Sequence, residues 1–379
     1  MGALARAFFT DLFLLTACAA PSRDEGRLAE LDARLDRRLA QVFLEKDFDA
    51  KGFGPARWLD GTSYLTVEEA GLVRCDAHSG TRSVLIAAGD LVGGGQVLSI
   101  EDYAFAGDGK SVLVFTNTRK VWRYHTRGDY WVFELATKEL RKLGGELSEA
   151  SLMFAKFSPD GTKVAYVSGN DLHVEDVASG ALTRLTHDGS PTSINGTSDW
   201  VYEEEFDLRD GFRWSPDGQE IAFWHFDSTG VPLYTLINTT DSLYPTLTTI
   251  PYPKAGQTNS AVKIGVVAAS GGAPRWLELP GDPREMYVPR MEWVETTGEL
   301  VVQQIDRRQQ ENTVWLVARE TLVPQELLRE REPKAWLDVV DDWRWLPGGE
   351  LFWISERDGW RHAWSVSRAG EWRCLTPGE

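Results

Sequence analysis

Six times along this chain an aromatic residue is followed by a tight-turn signal, most often Asp-Gly or Gly-Gly, and then by an apolar strand. The phrase stands at Trp58-Leu-Asp-Gly61, Phe105-Ala-Gly-Asp-Gly109, Phe157-Ser-Pro-Asp-Gly161, Trp214-Ser-Pro-Asp-Gly218, Trp293-Val-Glu-Thr-Thr-Gly298 and Trp345-Leu-Pro-Gly-Gly349. Successive aromatics are 47, 52, 57, 79 and 52 residues apart. A period of about 40–50 residues with four strands per unit marks the blades of a propeller. Asp-Gly supplies the backbone angles of a hairpin turn, and the strands that follow alternate, as in Lys163-Val-Ala-Tyr-Val167 and Glu220-Ile-Ala-Phe-Trp224. One blade cannot bury both of its faces alone, so the phrases must stack. The 16 Trp, 16 Phe, 10 Tyr and 35 Gly fit many short strands closed by turns. The fold class expected is all-β, a propeller with about six blade repeats over residues 51–379. The last phrase runs out at Glu379 with no closing segment, which predicts a truncated ring.

The long interval between Trp214 and Trp293 holds Leu243-Tyr-Pro-Thr and Ile250-Pro-Tyr-Pro-Lys-Ala-Gly256. It reads as an ordered connection that leaves the blade and returns, or as an irregular packing loop. Ahead of the repeats, residues 1–20 combine an arginine, an apolar run and small residues, as a secretory leader does. Leu15-Thr-Ala-Cys18 resembles a lipoprotein cleavage site with Cys18 as the lipidation candidate, although Asp11 interrupts the apolar run. These features predict an exported protein, periplasmic or attached to the envelope. Within the segment 21–50, Leu28, Leu31, Leu35, Leu39 and Val42 step by three or four, the period of an amphipathic helix, with Ser22 and Asp24 as candidate caps. That helix would pack beneath the main domain or act as a spacer.

A net charge of −17 argues against a nucleic-acid surface, which needs clustered Lys and Arg. Cys18, Cys75 and Cys374 form no C-x-x-C pair; Cys75 and Cys374 could pair or stay free. No G-x-S-x-G, H-E-x-x-H or phosphate-loop motif occurs, and His78, His125, His173, His187, His225 and His362 show no metal-ligand spacing. No catalytic residue, metal or cofactor is expected within the chain. The unusual cluster is Tyr202-Glu-Glu-Glu-Phe206, with Trp200 just before it. Carboxylates crowded among aromatics repel one another unless a cation offsets them, and a peptide's α-ammonium is a fitting one. Composition alone favours an exposed acidic turn.

Asp199-Trp-Val-Tyr-Glu-Glu-Glu205, then Trp214-Ser-Pro-Asp-Gly218, Val231-Pro-Leu233, Ile250-Pro-Tyr-Pro-Lys-Ala-Gly256 and Glu356-Arg-Asp-Gly-Trp-Arg-His362, resembles the propeller of the dipeptidyl peptidase IV family of prolyl-type serine peptidases. The resemblance spans about residues 50 to 379. It implies an eight-bladed ring of which about six repeats are present here. It also implies a short helical excursion on which Glu204 and Glu205 bind the free ammonium of a peptide substrate. Val121-Trp-Arg123 matches the arginine that contacts a substrate carbonyl, so Arg123 would be ion partner and donor together. Glu203, Tyr202 and Trp200 are supporting residues.

In such an enzyme the propeller measures two residues from the N-terminus, and a C-terminal α/β-hydrolase domain supplies a Ser-Asp-His triad, here expected beyond Glu379. Xaa-Pro and Xaa-Ala dipeptides would be released. The partners implied are peptides with a free N-terminus, the protein's own hydrolase domain and a second copy in a homodimer, with residues 244–254 as the candidate contact. A different class remains open: a non-catalytic envelope propeller of the TolB type, since propellers host many functions. Asn195-Gly-Thr197 and Asn238-Thr-Thr240 match the glycosylation pattern.

Overall fold

The computed structural model describes residues 23–50 and 53–378. The leader, Cys18 and the Ser22 cap lie outside the described residues. The chain divides into two units after Gly54. In the first, helix α1 runs over Arg23–Phe43, past the apolar period Leu28–Val42 at both ends, so that the candidate cap Asp24 lies inside the helix. Its stripe of Leu28, Leu31, Leu35, Leu39 and Val42 is exposed. No described helix is long and apolar enough to cross a membrane.

The second unit is a β-propeller arc of six antiparallel blades, one for each sequence phrase. Blade 1 holds strands between Ala56 and Ala87, blade 2 between Asp102 and Lys142, and blade 3 between Leu152 and Arg184. Blade 4 spans Ser193–Leu277, blade 5 Met286–Arg331 and blade 6 Arg344–Cys374. Each Ser-Pro-Asp-Gly turn is closed by its aspartate: Asp160 accepts from Ser158 Oγ (2.6 Å) and the Thr162 amide, and Asp217 from Ser215 Oγ (2.7 Å) and the Gln219 amide. Both carboxyls lie below the usual range, Asp160 chiefly through Ser158 and Asp217 chiefly through the Arg319 guanidinium, with Ser215 and the Gln219 amide adding to it.

The core is five apolar layers, one in each gap between consecutive blades. Strand alternation creates them, because successive side chains point to opposite faces. In blade 4, Ala222, Trp224 and Phe226 join blade 5, whereas Ile221 and Phe223 join blade 3. In blade 2, Val112 and Val114 face blade 1, and Leu113 and Phe115 face blade 3. In blade 5, Leu300 and Val302 face blade 4, and Val301 faces blade 6. Each central strand therefore serves two cores. At about 25 cal/mol per Å² of apolar surface removed from water, this two-sided burial is the main stabilising contribution.

Two departures from separate four-stranded blades position the site. Blades 2 and 3 form one continuous sheet, because Leu152 and Met153 pair with Gly128 and Arg127. A Cβ on Gly128 would lie 2.5 Å from the Phe115 ring, so only glycine admits that pairing. The long connection in blade 4 is a two-stranded hairpin, Leu233–Asn238 with Thr246–Pro251, paired only to itself. Cys75 and Cys374 are both free thiols.

Candidate functional site

The glutamate run folds as a seven-residue helix, α2 (Trp200–Phe206), an excursion from blade 4. Asp199 caps it, accepting from the Tyr202 amide at 2.9 Å while its second oxygen accepts from Ser260 Oγ at 2.7 Å. Such a cap satisfies an otherwise orphaned first-turn amide. Burial raises the Asp199 pKa, and the two hydrogen bonds oppose that rise. The helix ends at Asp207, which takes the left-handed conformation (φ 52°). The base is pinched shut by a bridge between Thr197 and Asp210. A Cβ on Gly211 would meet the Gly196 and Thr197 backbone at 2.8 Å, so glycine is required at this pinch. From blade 3, Lys156 Nζ donates to both Asp210 oxygens (2.5 and 2.7 Å) and to the Phe212 carbonyl.

One face of α2 is apolar and buried in the layer between blades 4 and 5. Tyr202 packs on Phe226 (4.5 Å between centroids) and Phe206 on Tyr287 (4.9 Å). The Tyr202 hydroxyl accepts from the Val288 amide at 2.9 Å, tying the helix to blade 5. Trp200 stacks on Tyr252, which leads on to Tyr234 at the root of the hairpin. Trp200 and Tyr202 thus pack the excursion against the propeller through contacts that lie far along the chain.

The opposite face presents the carboxylates. Glu204 accepts from Arg123 Nη2 at 2.6 Å. Arg123 comes from blade 2, at the tip of the long hairpin Ser111–Val121 and Tyr124–Glu134, whose last pair is Val121 with Tyr124. Trp122 reaches that tip in the left-handed region (φ 53°), an uncommon conformation for a bulky residue. Next to it, Arg209 lies over the Tyr124 ring at 4.0 Å and pairs with Asp207 at 2.6 Å.

Glu203 is half-buried; its Oε1 accepts no hydrogen bond among the described residues, and burial raises its pKa against the pull of Arg209. Glu205 is exposed and lines a cavity of about 800 Å³ with Trp200, Tyr252, Tyr287, Arg307 and Trp336. Arg123 and Glu204 therefore form an ion pair, while Glu205 faces the cavity beside it. Arg307 and Trp336 come from blade 5 and the segment after it, and no local motif marks them. Of the three adjacent carboxylates only Glu204 has an ion-pair partner in direct contact among the described residues, and a cationic ligand would offset the charge of Glu205.

Comparisons with known proteins identify the family of the chain. Residues 106–379 match the family described as the dipeptidyl peptidase IV (DPP IV) N-terminal region. A probable dipeptidyl peptidase 4 of Neosartorya fischeri is 32% identical over 285 residues, 71% of this chain and 37% of that protein. Dipeptidyl aminopeptidase B of Saccharomyces cerevisiae is 28% identical over 71% of this chain and 33% of its own length. The crystal structure of Porphyromonas gingivalis dipeptidyl peptidase 4 superposes with a TM-score of 0.79 at 27% identity, covering 89% of this chain and 48% of that one. The chain spans less than half the length of these relatives. By the family match and the blade-by-blade fold, the chain belongs to the dipeptidyl peptidase IV N-terminal region family.

Proposed function

We propose that this propeller binds the free N-terminus of a peptide and presents it for removal of an N-terminal dipeptide, Xaa-Pro or Xaa-Ala, by a serine-type hydrolase domain of the same protein. The observation that carries the reading is the Arg123–Glu204 contact beside Glu205 at the mouth of a cavity. Glu204 and Glu205 would hold the ammonium, and Arg123, already oriented by Glu204, would donate to a carbonyl one residue further on. Fixing the ammonium fixes which peptide bond reaches the nucleophile, which is catalysis by positioning. A chain continuing beyond that point would leave the carboxylates unpaired, so the same contact rejects internal segments.

The leader-like first 20 residues support placing the protein outside the cytoplasm, tethered through Cys18. The exposed apolar residues of the blade 4 hairpin support a homodimer contact.

The direct test is titration of the chain with an Xaa-Pro peptide and with its N-acetylated form, followed calorimetrically. The free peptide should bind and the acetylated one should bind at least about tenfold more weakly, as expected for loss of a charge-assisted pair. Glu204→Gln and Glu205→Gln should each weaken the free peptide by a similar factor. Equal binding of both peptides, or unchanged affinity in both variants, would remove the assignment.

A further inference from the structure

Blade 6 carries a second cluster with different chemistry, away from the glutamate helix. Its strands His362–Val366 and Trp372–Cys374 pair antiparallel with Trp364 opposite Cys374. His362, two residues before Trp364, therefore shares a face with Cys374 as its diagonal neighbour. The Leu375 amide donates to the Ala363 carbonyl at 2.8 Å, which continues the pairing and fixes this register. The preceding turn brings a third group: Asp358 Oδ2 lies 3.0 Å from His362 Nδ1. Cys374 Sγ lies 3.7 Å from the same nitrogen, and the three donor atoms are all within 4.8 Å of one another.

We propose that Asp358, His362 and Cys374 form a binding site for one zinc-class divalent cation. A tetrahedral ion with bonds of about 2.0–2.3 Å separates its ligand atoms by roughly 3.3–3.8 Å, the spacing already present between His362 and Cys374. Thiolate, imidazole and carboxylate together are the donor set of borderline-soft ions such as Zn²⁺ and not of Ca²⁺ or Mg²⁺, which take oxygen ligands. One thiolate and one carboxylate also neutralise the double charge.

Binding replaces the Asp358–His362 hydrogen bond: the ring proton sits on Nε2, Nδ1 faces the ion, and the Cys374 thiol proton goes to solvent. Three protein ligands leave a fourth position for water. The ion would join the Glu356–Gly359 turn to the last strand of the blade. Arg357 of that turn already stacks on Trp372, at 3.8 Å.

Cobalt(II) is the probe, added to the metal-stripped full chain and then displaced by zinc. One equivalent should give a thiolate-to-cobalt charge-transfer band with tetrahedral ligand-field absorption, and zinc should abolish both. Cys374→Ser should remove the charge-transfer band, and Cys75→Ser and Cys18→Ser should retain it. His362→Gln and Asp358→Asn, which leave the thiol in place, should each weaken cobalt at least about tenfold. Absence of the band in the wild type, its persistence in Cys374→Ser, or unchanged affinity in both His362→Gln and Asp358→Asn would overturn the site. Circular dichroism of each variant separates loss of the ion from loss of the fold.

Discussion

Glu203, Glu204 and Glu205 follow one another in the chain, and one turn of α2 places them in three surroundings. Glu204 meets a guanidinium, Glu205 meets a cavity, and Glu203 is tucked half inside with an oxygen that receives no donor among the described residues. The pKa of Glu203 is raised from its ordinary value of 4.5, chiefly by burial. The native state then holds a proton that the unfolded chain releases, so between those two pKa values stability falls as pH rises. Glu203→Gln should accordingly raise the urea midpoint at neutral pH and leave it near the wild-type value below about pH 4. An equal shift at both pH values would assign the effect to packing instead of charge. From sequence, the run and its partner Arg123 were legible because they sit inside motifs. The division of labour among the three was not, because it depends on which face of a seven-residue helix meets blade 5.

Among the elements, the strands after each aromatic-turn phrase were readable from their alternation, and all six phrases became blades. The continuous sheet of blades 2 and 3 was not readable, since it rests on one close approach at Gly128. That pairing anchors the root of the hairpin carrying Arg123, which explains how a tip so far from its blade is held. The blade 4 insertion was visible as an extra length of chain but not as paired strands, because its prolines and polar tip mask the period. Leu233, Ile237, Leu243, Tyr244 and Leu247 all stand exposed on it. Exposed apolar groups in this number on one hairpin mark an interaction surface. Sedimentation equilibrium should show self-association of the wild-type chain and a monomer for Leu243→Asp/Leu247→Asp. A wild-type monomer over the whole concentration range would exclude the hairpin as a homodimer contact.

At the scale of the molecule, each of blades 2 to 5 contributes to two apolar layers, so a change in one of them is felt in both neighbours. Two buried or half-buried histidines extend that coupling to pH. His173 of blade 3 and His225 of blade 4 both have pKa values pushed below the ordinary 6.5 by burial. The unfolded chain takes up protons that the folded one resists, so stability is lost as pH falls below about 6.5. Urea midpoints should drop between about pH 7.5 and about pH 5, and the drop should shrink in His173→Gln/His225→Gln. Parallel curves for variant and wild type would locate the acid response elsewhere.

Arg123 belongs to blade 2 and Glu204 to the excursion of blade 4, so their contact vaults over blade 3 as a chord across the arc. A chord shortens or slackens whenever the blades beneath it rotate against one another. A ligand gripped by both ends would brace three blades at once, and small shifts in the angle of blade 3 would register as changes in its affinity. The proposed ruler for a peptide's end would in this sense also be a gauge of the curvature of the propeller that carries it.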